Sequence, residues 1–258
     1  MNVIEETEKN FAKFIDVKHA ILVNSGTAAL HTAYLACGIG PGDEVIVPAY
    51  TFPATANMVL ACGATPVFAD IDPATYLMDA EDVKKKITDK TKAIVPVNLF
   101  GKEVNWKDFK YDNIYLIIDS AQCVKPGVNY GDMQIFSFYR TKNFSCFEGG
   151  AITTNNDELY RRARIFMNQG ENGKYNTEEL GYNYRISDLQ AVMINHQFMY
   201  HFIGGDAELG RFSPKDGHYS KVVYEQELYK RLGYYDEYKG ICPVAEAQAE
   251  WVRNYVNK

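Results

Sequence analysis

Four groups of residues stand where they could act together on one ligand. Lys142 lies just beyond the apolar run Ile135-Phe136-Ser137-Phe138-Tyr139, where a strand gives way to a polar turn. Asp119 ends a second, strongly apolar run, Tyr115-Leu116-Ile117-Ile118. Asn24-Ser25-Gly26-Thr27 separates a short buried strand from the helix-favouring stretch that begins at Ala28, and Phe52 follows the strand Val45-Ile46-Val47-Pro48. An amine with apolar flanks can condense with a carbonyl to give a Schiff base, and a carboxylate ending a buried strand can keep a ring nitrogen protonated. A strand, a small polar turn and a helix present free N–H groups, the helix dipole and hydroxyls to one anion. A phenyl ring can cover a flat ligand. These are the demands of pyridoxal 5'-phosphate chemistry: Lys142 for the Schiff base and proton transfer, Asp119 for the pyridinium, Ser25, Gly26, Thr27, Ala28 and Ser137 for the phosphate, and Phe52 for the ring face.

Each group has a plainer reading on its own. Ser25 or Thr27 can simply cap a helix, and Asp119 can form a turn or a cap. Phe52 beside Pro53 can be core, Gln122 an ordinary helix residue and Lys142 a solvated charge. Only their joint occurrence points to one site.

The elements that must hold these residues alternate along the chain. Residues 3–15 have helical spacing of Val3, Phe11, Phe14 and Ile15, and residues 20–23 form a buried strand. Strands follow at 45–48, 67–70, 93–99, 115–119, 133–138 and 151–154, with helices expected at 28–36, 54–60, 79–87 and 157–167. Ser187 caps a further helix. This alternation, with nearly continuous apolar strands, predicts an α/β fold with a mainly parallel sheet covered on both faces, its ligand at the carboxyl ends of the strands. From about residue 195 the periodicity weakens, and Gly204, Gly205, Gly210, Pro214 and Gly217 interrupt it; residues 224–231 and 245–256 read as helical. The chain therefore divides into a large domain over 1–193 and a reduced C-terminal domain over 194–258.

Composition removes alternatives. With 27 basic and 33 acidic residues there is no basic excess for nucleic acid. Five scattered cysteines, Cys37, Cys62, Cys123, Cys146 and Cys242, lack CxxC spacing, which argues against a disulfide framework or a zinc site and for a reducing cytosol. The N-terminus does not read as a secretory signal and no stretch reaches the length of a membrane span. The 19 tyrosines are many, and such side chains suit a ligand pocket or subunit interface.

A resemblance sharpens this. Residues 24–30 (Asn24 to Leu30), 40–48 (Gly40 to Pro48), 51–57 (Thr51 to Asn57), 119–122 (Asp119 to Gln122), 136–143 (Phe136 to Asn143), 148–150 (Glu148 to Gly150) and 181–185 (Gly181 to Arg185) resemble, in order, the sugar-aminotransferase family of fold-type-I pyridoxal-phosphate enzymes, the DegT/StrS type. The resemblance implies a seven-stranded large domain with a reduced small domain. It also implies transfer of an amino group, usually from glutamate, to a nucleotide-linked keto sugar in polysaccharide biosynthesis. Lys142 is similar to the family's cofactor-linked lysine, Asp119 to the partner of its ring nitrogen, and Gln122 to the residue beside the ring or its phenolic oxygen. Thr27, Ala28 and Ser137 would hold the phosphate, and Phe52 would stack on the ring. Asn183 resembles an asparagine that reaches the phosphate of a neighbouring subunit, so a cytoplasmic homodimer with a shared site is implied. A related branch has His in place of the lysine and acts as a dehydratase; Lys142 favours transamination. Arg140 stands where the family usually has Pro, and family members are longer by about a hundred residues, the size of a small domain. The shortening leaves room for two other readings, a non-catalytic binding or regulatory protein on the same fold, or an aminotransferase acting on an amino-cyclitol ketone.

Overall fold

The computed structural model describes residues 2–127, 130–202 and 219–256. Its elements run α1 (Val3–Ile15), β1 (His19–Val23), α2 (Gly26–Ala36), β2 (Glu44–Pro48), α3 (Ala54–Ala61), β3 (Thr65–Ala69), α4 (Ala80–Lys86), β4 (Thr91–Ile94), β5 (Tyr115–Asp119), β6 (Met133–Ser137), β7 (Gly150–Thr154), α5 (Asp157–Met167), α6 (Asp188–Phe202), α7 (Glu227–Arg231), α8 (Tyr234–Tyr238) and α9 (Pro243–Val256). The seven strands form one sheet in the order β1-β7-β6-β5-β4-β2-β3. Strands β3, β2, β4, β5 and β6 pair in parallel, and β7 runs antiparallel to both β6 and β1. The expected sheet, mainly parallel and seven-stranded, is the one observed.

Strand periodicity sends alternate residues to opposite faces. Ile21, Val23, Val45, Val47, Ile117, Ile135 and Ile152 enter a core shared with α2, α3 and α5. Their neighbours Ala20, Leu22, Phe136 and Ala151 join a second cluster under α1 and α6, while Ile46, Leu116 and Ile118 join a third toward α4. Burial on both faces is why these strands read as continuous apolar runs rather than alternating ones.

Helix ends follow local side-chain chemistry. Asn2, Asp79 and Asn156 accept backbone N–H groups at the starts of α1, α4 and α5, and Ser187 accepts the N–H of Gln190 at the start of α6. Strand β4 and helices α6 and α8 differ from expectation, α8 being a helix where none was expected. The strand expected over 93–99 begins at Thr91 and its regular part ends at Ile94. Pro96 has no N–H for the ladder, and beyond it pairing survives as a single bridge between Val97 and Asp119. Helix α6 runs past residue 195 to Phe202. Tertiary packing extends it: Phe198 stacks on Phe11 at 4.9 Å, and Asn10 Nδ2 donates to Asn195 Oδ1 at 2.8 Å. Gly204, Gly205, Gly210, Pro214 and Gly217 lie outside the described residues.

Residues 219–256 pack against the seven-stranded sheet. The Val223 N–H donates to the Ala49 carbonyl at 2.9 Å. Tyr224, Tyr229, Tyr234 and Tyr238 surround Phe68 of β3 edge-on, with centroids 5.2–6.0 Å away. Asp70, directly after β3, accepts the N–H groups of Val244 and Ala245 at 3.0 and 2.8 Å and so caps α9 from 174 residues away. Four of the 19 tyrosines thus serve this aromatic core.

Candidate active site

Strands β1, β2, β5 and β6 all end at the same edge of the sheet. The turns that follow them enclose a cavity of ≈ 340 Å³, a size suited to a small cofactor. Ser25, Gly26, Thr27, Phe52, Asp119, Gln122, Ser137 and Lys142 line it, so eight of the expected site residues come together there. Ala28 does not line it; its side chain is buried in the core and its N–H donates to Ser25 Oγ at 3.0 Å. Asn183 is exposed and stands apart from the cavity wall, tied through its carbonyl to Asn24 Nδ2 at 3.2 Å.

The anion end is built by close approach. Ser25 is the N-cap of α2, so the plainer reading of this residue holds alongside its place in the cavity wall. A Cβ on Gly26 would come within 2.8 Å of Ser137 Cβ, and one on Gly150 within 2.6 Å of the Ser25 backbone. Glycine at these two positions lets the helix start press against the ends of β6 and β7. Ser25, Thr27 and Ser137 line the cavity where α2 begins, a place that suits an anion.

Asp119 forms the other end. It is 3% exposed. Its Oδ2 accepts the Thr55 hydroxyl at 2.9 Å and its Oδ1 the Ala121 N–H at 3.0 Å. Burial pushes its carboxyl above the usual range, while these two donors and the charge of Lys142 pull the other way. Both hydrogen-bond donors are neutral, so a cationic ring N–H would supply the counter-charge that favours the ionised form. Behind it, Ser120 Oγ accepts Asn98 Nδ2 at 2.9 Å and Gln134 Nε2 at 2.7 Å, which fixes the backbone at the strand end.

Lys142 enters from the turn after β6, its N–H bonded to the Tyr139 carbonyl at 2.8 Å. Burial lowers its ammonium below the ordinary lysine value, against the opposing pull of Asp119. A lowered pKa makes the neutral, nucleophilic amine more accessible. Gln122 lies beside it in the wall, its Oε1 accepting the Phe100 N–H at 3.0 Å and its Nε2 donating to Tyr219 Oη at 2.7 Å. Phe52 is 58% exposed on the wall, which suits a cover for a ligand face and not a core residue.

The arrangement places a helix start with three hydroxyl side chains, a buried carboxylate and an amine around one cavity, and those groups fit an aromatic phosphate with a ring nitrogen. Thr55, Tyr219, Tyr139, Thr141 and Glu148 also line the cavity without having been singled out as site residues. Thr55 had a signal, since it lies in the stretch 51–57 that resembles the family. Nothing local ties Tyr219 to Gln122, 97 residues earlier. The five cysteines are free thiols, and no group of metal-ligating side chains occurs among the described residues.

Residues 2–201 match the model of the DegT/DnrJ/EryC1/StrS aminotransferase family. A curated relative, the GDP-perosamine synthase of Caulobacter vibrioides, is 42% identical over 244 residues, covering 89% of this chain and 62% of the relative. The chain therefore spans less than two thirds of that protein's length. Among solved structures, S. venezuelae DesV superimposes with a TM-score of 0.85 at 28% identity, over 96% of this chain and 82% of DesV. NtdA of Bacillus subtilis with bound cofactor PMP gives a TM-score of 0.81 at 25% identity, over 96% of this chain and 71% of NtdA.

Proposed function

We propose, on the premise that this chain belongs to the DegT/DnrJ/EryC1/StrS aminotransferase family, that it is a pyridoxal-phosphate aminotransferase. It moves an amino group from an amino acid, glutamate by family habit, to a nucleotide-linked keto sugar. The observation that carries the reading is that the buried Asp119 and Lys142 line one cavity together with the Ser25-Gly26-Thr27 turn and Ser137. The GDP-perosamine synthase name of the Caulobacter relative supports the sugar-nucleotide acceptor, and the cofactor named for NtdA supports the vitamin B6 group.

When bound, pyridoxal phosphate supplies a carbonyl carbon that links to amines and a protonated ring that takes up electrons released from the donor's Cα. The chain's residues do the rest. The turn at Ser25-Gly26-Thr27, with Ser137, holds the phosphate through N–H and hydroxyl donors. Asp119, oriented by Thr55 and Ala121, holds the proton on the ring nitrogen. Lys142 Nζ, whose deprotonation burial favours, would be the covalent anchor and then the base that moves the donor's Cα proton to the cofactor's carbonyl carbon. Phe52 covers one face, and Gln122 orients the ring side. The nitrogen is delivered to the sugar ketone in a second half reaction, which predicts ping-pong kinetics.

Asn183, outside its own cavity and exposed, is assigned to the phosphate of a second copy in a homodimer. The division into 1–193 and 194–258 belongs to the same proposal, as does a cytoplasmic location. No helix among the described residues is long and apolar enough to cross a membrane. The test is optical: protein supplied with pyridoxal phosphate shows a visible absorption band that glutamate bleaches. Protein that stays colourless overturns the cofactor, and a coloured protein inert to amino donors overturns the transamination.

A further inference from the structure

We infer that Tyr219 is a positioning residue of the cofactor site, acting through Gln122, and that the C-terminal segment thereby completes a site otherwise built by the large domain. The inference rests on the cofactor reading proposed above. Tyr219 lines the cavity and is 7% exposed. Its Oη accepts Gln122 Nε2 at 2.7 Å, and its ring packs edge-on against Tyr50 at 5.5 Å. Burial raises the phenol far above its usual range, with the charge of Asp119 adding to the effect, so it stays protonated.

A glutamine side chain can rotate its amide by half a turn and exchange its oxygen for its nitrogen. Here both ends are engaged. Oε1 takes the Phe100 N–H at 3.0 Å, and Nε2 donates to Tyr219. Reversal would place two donors against each other at Phe100, so the pair of contacts selects one orientation. What Gln122 presents to a bound ring is therefore set by a residue 97 positions later in the chain.

Two contacts hold the chain directly after Tyr219. The carbonyl of the next residue, Ser220, accepts Arg253 Nη1 of α9 at 3.0 Å, and the same guanidinium nitrogen meets Glu225 Oε2 at 2.7 Å. Four residues on from Tyr219, the Val223 N–H is bound to the Ala49 carbonyl at the foot of the Tyr50-Thr51-Phe52 turn. Helix α9 thus reaches the cavity through Arg253, Ser220, Tyr219 and Gln122 in turn.

The experiment compares wild type with Tyr219→Phe, which keeps the ring and removes only the hydroxyl, and with Gln122→Ala. Pyridoxal-phosphate affinity is measured by titration of apoprotein, alongside the visible absorption maximum, its dependence on pH, and the melting temperature of the apoprotein. The expected result is about a tenfold loss of cofactor affinity in Tyr219→Phe, the consequence of an unsatisfied buried amide. A displaced absorption maximum or pH profile should accompany it, with an apoprotein melting temperature close to wild type. The double variant should be no worse than Gln122→Ala, because the tyrosine acts through that residue. Affinity and spectrum equal to wild type overturn the inference while leaving the cofactor reading intact. So does a loss of affinity matched by a loss of apoprotein stability with an unchanged spectrum. Wild type that takes up no pyridoxal phosphate overturns both.

Discussion

Two buried aspartates stand at matching places in the sheet and do different work. Asp119 ends β5 and Asp70 directly follows β3, and they are 3% and 7% exposed. Asp70 directs both oxygens at backbone: Oδ1 accepts the N–H of Ile71 and of Ala245, and Oδ2 that of Val244. It is a cap for α9, aided by the helix dipole. Asp119 has one hydroxyl and one N–H as partners and faces an open cavity. Residue type, burial and position in the fold are shared; what separates them is that Asp70 is enclosed by three backbone N–H donors, whereas Asp119, with two donors, also lines a cavity that could bring it a further one.

Substitutions can break or sharpen that contrast. The largest effect belongs to the amine that completes the Asp119 side: Lys142→Ala should abolish the visible band with pyridoxal phosphate and lower transamination by about 10³-fold or more, measured by single-turnover absorbance. Asp119→Asn keeps shape and removes charge, and should lower turnover by about 10²-fold. Because burial disfavours the Asp119 carboxylate, the apoprotein of this variant should melt no lower than wild type near neutral pH. Asp70→Ala should behave in the opposite way, losing about 2 kcal/mol of stability in a urea titration, since three buried N–H groups lose their acceptor, with a smaller effect on cofactor affinity. If Asp70→Ala depressed turnover as strongly as Asp119→Asn, the contrast would collapse. The smallest effect is one of pH. Burial lowers the pKa of Lys142 in the folded chain, so the folded form sheds this proton before the unfolded form does, and stability from this group rises with pH between the two values. The rate of pyridoxal-phosphate uptake should rise over pH with the same group and level off below the range of an ordinary lysine.

The same contrast shows how far the sequence reaches. Both aspartates follow apolar strands, and alone each reads as a turn former. Asp119 was distinguishable because Lys142, Ser25 and Phe52 supplied the remaining parts of one chemistry. Helix α5 was legible to both of its ends because Asn156 caps it and its apolar stripe is strong. The full length of α6 was not, since its last turns are held by Phe11 and Asn10 and not by their own periodicity. Helix α8 was missed for a similar reason: its tyrosines pack onto Phe68, a residue of β3. The bonds that tie Thr55 to Asp119 and Tyr219 to Gln122 span 64 and 97 residues, and no local pattern records those pairings.

The cap of α9 by Asp70 bears on how the protein is made. During vectorial synthesis the end of β3 emerges from the ribosome with its carboxylate unanswered, and Val244 and Ala245 follow 174 and 175 residues later. Strand β1 likewise waits for β7 before it has a hydrogen-bonded neighbour. Contacts of such long separation slow folding, and the nascent chain meanwhile carries unpaired strand edges and an uncovered Phe68, the surfaces that chaperones bind. Fusion of a C-terminal tag with a stalling sequence that holds α9 inside the exit tunnel should therefore leave a protease-sensitive chain, and release should protect it.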